Sequence, residues 1–225
     1  MLAYLMFKIG KIGWLRKMLD PIRYRLIVKR KLKKMNELFS RHSKEVFTET
    51  CQILNRQGVV FWPEFGTLLG IYRENGFIKH DFDFDFGAFV EDSDCIKTLL
   101  LQNGYMLVHE YEGINHPEIK EMTFSYKGIN VDLFFFNRKS DIYSCYLFAH
   151  YDMNLKGECK FKVKEIQFPA FNLQRTNFLG VGINMPDDTH RHLAVSYGSN
   201  FMIPDPNFKS IHNEYLENIY AHNKL

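Results

Sequence analysis

Between Asp81 and Phe86 the chain reads DFDFDF, and that alternation is the strongest constraint on its folding. A period of two sends successive side chains to opposite faces of a strand. Asp81, Asp83 and Asp85 then line one face while Phe82, Phe84 and Phe86 pack behind it, which predicts a strand over 81–90. Three neighbouring carboxylates repel one another, so a positive group belongs on their face.

A fourth acid points to the same place. Asp132 stands in the apolar run INVDLFFF, 129–136, where an acid is costly unless it is paired or ligates a metal. Laid beside the strand 81–90, this run brings Asp132 into the row of Asp83 and Asp85. Oxygen ligands with no His or Cys at matching spacing suit a hard cation such as Mg²⁺ or Mn²⁺, which completes its shell with substrate phosphates. Upstream, VVFW at 59–62 predicts a short strand, followed by a turn at Gly66 and Thr67 and a helix through Tyr72. A turn of this kind offers backbone N–H groups to an anion at a helix start. Metal, phosphate cradle and a carboxylate to take a proton describe a site for phosphoryl or nucleotidyl transfer.

The rest of the chain is organised around that block. Residues 1–35 hold eleven Lys or Arg against one acid, Asp20, so this arm carries +10 while residues 36–225 carry −7. Leu2, Leu5, Ile9 and Ile12 fall near one helical face, and Asp20-Pro21 predicts the start of a second basic helix. Further helices are expected at 36–57 and 92–102, with strands at 105–111, 121–126 and 129–136 and a hairpin turn at YKG, 126–128. Strands at 142–149 and 160–166 and a terminal helix at 209–222 complete the expectation. The 225 residues include 21 Phe, which fits an aromatic core rather than disorder. No apolar run reaches the roughly 20 residues of a membrane span, and no secretory leader is evident, so a cytoplasmic location is expected. Cys51, Cys95, Cys145 and Cys159 lack zinc-type spacing and are expected as reduced thiols.

From Gly66 to Gly87 the chain reads GTLLGIYRENGFIKHDFDFDFG, which resembles the block GTLLGxxRxxGFIPWDDDIDVG of the LicD/fukutin-type nucleotidyltransferases. The resemblance continues at FPAF, 168–171, at Pro186 and at LAVSYG, 193–198, and so spans about 45–205. It implies an α/β (α+β) fold of nucleotidyltransferase type, a mixed sheet flanked by helices, with the basic arm added in front. It also implies that Asp83 and Asp85 ligate metal, with Asp81 beside them, and that a phospho-substituent moves from a CDP-activated donor to a glycan hydroxyl. Phosphocholine, phosphoethanolamine and alditol phosphates are the substituents of that class, and capsule or lipopolysaccharide is the kind of glycan. His80 replaces the family's Trp, and Phe82 replaces the middle acid.

Within this reading Asp132 is the expected general base, with a third metal ligand as its alternative role, and Gly66, Thr67, Arg73 and His80 are the expected substrate contacts. Arg73 suits a phosphate clamp or a pair with Glu74. His190 and His192, in THRH, are expected in a solvated turn, and Tyr197 is expected to pack under Gly198. The arm, with lysines interleaved among apolar residues, is expected on the inner face of an anionic membrane near a lipid-linked acceptor, with no nucleic acid as partner. Two other readings fit the residues. One is transfer of a nucleotide itself; the other is a catalytically idle body whose arm grips nucleic acid.

Overall fold

Phe84 and Phe86 explain why the alternating segment is a strand. In the computed structural model, which describes residues 21–79, 81–153, 159–205 and 216–223, both rings are buried against one long helix. That helix, α1, is Pro21–Arg56. Its Phe39 lies 5.2 Å from Phe84, and its Phe47 stacks on Phe86 at 5.6 Å. The strand, β2, is Asp83–Phe89, so Asp81 and Phe82 precede it rather than belonging to it. α1 passes without interruption through residue 35, joining what the sequence divides into an arm helix and a domain helix. Asp20 lies outside the described residues.

The remaining elements follow in order: β1 (Phe61–Pro63), α2 (Phe65–Glu74), a short 3₁₀ turn (Val90–Asp92), α3 (Ser93–Gln102), β3 (Met106–Gly113), β4 (His116–Tyr126) and β5 (Ile129–Lys139). Then come β6 (Ile142–Met153), β7 (Cys159–Pro169), β8 (Leu173–Phe178), β9 (Val181–Pro186), α4 (Thr189–Tyr197) and β10 (Leu216–Asn223). Among the described residues, eight strands form one sheet in the order β1-β2-β5-β4-β3-β10-β7-β6, and β8 and β9 form a separate hairpin. β6 also pairs with the far end of β5, at Asn137 to Lys139, so the sheet curls back on itself. The architecture is the expected mixed sheet flanked by helices.

β2 and β5 run parallel, and the other neighbours run antiparallel. The β4–β5 hairpin closes at Lys127 and Gly128, both with positive φ, the two-residue turn whose twist matches that of its strands. β5 is apolar on both faces, as expected of a strand buried on both sides. Val131, Leu133 and Phe135 join the α1 side, and Phe134 and Phe136 join Trp62 on the other. Asp132 is the acid in the middle of this strand, and it is buried.

The last strand corrects one expectation. The segment expected as a terminal helix contains β10, which inserts between β3 and β7. Residues 206–215 lie outside the described residues. YLENIYAH supports either period, and the open edges of β3 and β7 decide for strand pairing.

Candidate active site

Parallel pairing places Asp85 of β2 directly opposite Asp132 of β5, with Asp83 two residues away on the same face. The register that buries Phe84 and Phe86 behind the sheet therefore collects the acids in front of it. Asp81 reaches the group from the loop before β2. Its Oδ2 lies 3.0 Å, and that of Asp85 3.2 Å, from where a Cβ on Gly66 would stand. Any side chain at 66 would fill the space that these two oxygens border.

Gly66 and Thr67 hold Asp85 in place. The Gly66 N–H donates to Asp85 Oδ2 at 3.0 Å, and the Asp85 N–H donates to Thr67 Oγ1 at 2.8 Å. The helix start that the sequence assigns to a phosphate thus positions an acid first.

Burial, reinforced by the neighbouring Asp83 charge and a hydrogen bond with it, pushes the Asp81 carboxyl up to about 9. Burial also raises Asp85 well above the carboxylate range, helped by Asp83, Asp81 and Asp132, against which the Gly66 N–H is insufficient. Asp81 and Asp85, crowded against Asp83 and Asp132, resist ionising, and a cation placed among them would relieve that crowding. No three acid, His or Cys side chains among the described residues converge as a ready-made metal cage. The donor set instead fits an ion that takes one or two protein carboxylates and completes its shell with substrate oxygens, the habit of Mg²⁺.

Arg73 lies on the last turn of α2. It donates to the Phe201 carbonyl at 3.0 Å and to Glu74 Oε1 at 2.7 Å, and its buried Nε has no hydrogen-bond partner among the described residues. It fastens the 198–203 segment to α2. His80 lies outside the described residues.

Two features were not anticipated from the sequence. His192 is buried in α4, not in a solvated turn: its Nε2 lies 2.9 Å from both Glu64 oxygens, and its ring stacks on Phe168 at 4.2 Å. Glu64 has no exposure, receives the Trp62 indole N–H at 2.7 Å and caps α2 by accepting from the Phe65 N–H. Its own N–H donates to the Asp85 carbonyl at 2.9 Å, so one residue joins β1, α2, α4 and β2. An acid at a strand-to-helix junction signals a cap; its partner 128 positions on has no local signal. Tyr197 packs against the Leu68 and Leu69 cluster, and its phenol is pushed up by burial and by the charges of Asp85, Asp81 and Glu64. It stands on the acid side of α4.

Residues 58–188 match the family described as LicD/FKTN/FKRP, nucleotidyltransferase domain. Ribitol-5-phosphate transferase FKTN of Homo sapiens is 30% identical over 168 residues, covering 74% of this chain and 34% of that protein. The Mus musculus protein of the same name is 30% identical over 169 residues, with the same coverage. An uncharacterized protein of Rickettsia typhi is 34% identical over 68 residues, covering 29% of this chain and 22% of its own. The chain spans about a third of the length of the FKTN relatives it matches. The family match covers more than half of the chain and contains the helix start, the row of acids and Asp132, so this chain belongs to the LicD/FKTN/FKRP family.

Proposed function

We propose that this chain is a metal-dependent transferase that moves a phospho-substituent from a CDP-activated donor to a glycan hydroxyl. The observation that carries the reading is the pairing of Asp85 with Asp132 across parallel strands, beside Asp83 and under the Gly66 N–H. The name of the FKTN relatives makes ribitol 5-phosphate the first substituent to consider, with glycerol phosphate, phosphocholine and phosphoethanolamine as the other members of the class.

Asp132 accepts the proton of the attacking hydroxyl. The hydroxyl oxygen forms a bond to the donor's β-phosphorus, the bond from that phosphorus to the CMP oxygen breaks, and its electron pair leaves with CMP. Asp83 and Asp85, with Asp81 beside them, would hold Mg²⁺ or Mn²⁺, which would supply positive charge to offset the diphosphate and the leaving CMP. Gly66 and Thr67 keep Asp85 against the start of α2, where the donor's phosphates arrive, with Arg73 and His80 as further donor contacts. A low-dielectric pocket strengthens each of these interactions.

The basic end of α1 supports a membrane surface as the place of reaction. Lys29, Arg30, Lys31, Lys33 and Lys34 are all exposed, as is Leu26, a composition suited to an anionic membrane surface carrying a lipid-linked acceptor. Among the described residues no helix is long and apolar enough to cross a membrane.

The test is to incubate the protein with Mg²⁺, a glycan acceptor and, in turn, CDP-ribitol, CDP-glycerol, CDP-choline and CDP-ethanolamine, and to measure CMP. Acceptor-dependent release from one donor is expected. No release from any of the four counts against the reading.

A further inference from the structure

Asp132 does not stand alone behind the site. β5, β4 and β3 are paired so that Asp132 faces Thr123 and Thr123 faces His109. With Asp85 opposite Asp132, one polar row crosses four strands: Asp85, Asp132, Thr123, His109. The Thr123 hydroxyl donates to Asp132 Oδ1, and Thr123 Oγ1 lies 2.8 Å from His109 Nε2. Glu121 Oε1 is 3.6 Å from the same nitrogen, and Glu121 Oε2 accepts from the Phe148 N–H at 3.1 Å. All four side chains from Asp132 to Glu121 are buried.

Two details argue that this row is built rather than incidental. The β3–β4 register slips between Leu107 and His109, and this irregularity brings His109, not Val108, opposite Thr123. Bulges of this kind re-aim a side chain next to active sites. The imidazole is then held flat on Tyr111, with centroids 4.3 Å apart and planes 19° apart.

We propose that Thr123 and His109 are positioning residues that aim Asp132 at the acceptor hydroxyl. A threonine hydroxyl has one proton; given to Asp132 Oδ1, it leaves the oxygen to accept from the His109 Nε2–H. The chain has one direction, from His109 to Thr123 to Asp132. It fixes Oδ1, and the Glu121 carboxylate lies beside the same His109 Nε2. The proposal rests on Asp132 being the base.

The test compares Thr123→Val, which keeps the shape and removes the hydroxyl, with Thr123→Ser, which keeps the hydroxyl, in the CMP-release assay. It adds imidazole ¹⁵N shifts of histidine-labelled wild-type protein without any donor. The expected results are a His109 proton on Nε2, a fall in kcat of about 10- to 100-fold in Thr123→Val with donor KM unchanged, and recovery of most of the rate in Thr123→Ser. Wild-type kcat in Thr123→Val, an equal loss in both variants, or a loss seen in KM instead overturns the proposal. So does a His109 proton on Nδ1 alone. That reading decides the matter if Thr123→Val fails to fold, because it needs no variant. If wild type releases no CMP from any donor, the transfer reading fails, while the nitrogen shifts still decide whether the row is a directed chain.

Discussion

Asp81, Asp83 and Asp85 cannot all be ionised cheaply, yet the fold gathers them at one place. Asp83→Asn and Asp85→Asn are expected to lower transfer by more than about 100-fold while the protein stays folded, since the phenyl rings behind them do the packing. Circular dichroism and CMP release measured on the same samples check this. Asp81 gives a pH signature. Its carboxyl titrates at about 9 in the fold, against an ordinary 3.8, so the stability it contributes is full below about pH 4 and is lost as pH rises through about 9. In chelator, wild type should lose melting temperature relative to Asp81→Asn between those limits, and added Mg²⁺ should narrow the gap at the alkaline end. Gly87 lies on the acids' face of β2, against Trp62. A Cβ there would lie 2.4 Å from the Trp62 indole, so Gly87→Ala is expected to destabilise by about 1–3 kcal/mol in urea unfolding.

At the scale of elements, what was legible in the chain is what local chemistry determines. Phe84 and Phe86 declared their strand because period two matches the pleat; Lys127-Gly128 declared its hairpin because glycine tolerates positive φ. The Gly66-Thr67 start was visible as a strand-turn-helix signal, and Asp132 as an acid in an apolar run. Phe82 broke the pattern because the chain has not yet joined the sheet there, and its N–H instead turns back to Asp81 Oδ1. His192 was misread because only the packing of α4 on the sheet shows that Glu64 awaits it. β8 and β9 were missed for a similar reason: the β8 side chains from Gln174 to Asn177 are exposed, so no apolar alternation marks them. The Glu64 junction predicts that His192→Leu, which leaves a buried carboxylate short of a donor, costs about 1–3 kcal/mol. His192→Gln should lose less, and urea melts of both variants check the order.

For the molecule as a whole, the charge division along the chain coincides with a division of packing. Among the α1 side chains whose burial is described, those in the core begin at Phe39, whereas the cluster from Lys29 to Lys34 is solvent-facing. Replacing those five Lys or Arg residues by Gln should leave the melting temperature unchanged and weaken sedimentation with anionic liposomes. Each is worth about 1 kcal/mol near such a surface, and the difference should shrink as salt rises. The one parallel pair among the described strands has a kinetic consequence. Antiparallel neighbours such as β4 and β5 meet across a two-residue turn and zip from it. β2 and β5 can meet only after α3, β3 and β4 have been laid down between them, and pairings between such distant segments are the slow ones. Since Asp85 and Asp132 face each other only through that pairing, a refolding chain recovers its helical signal and its β4–β5 hairpin well before it recovers turnover. A slip of one residue in β5 would send Asp132 to the phenyl side and give a protein that looks folded and does nothing.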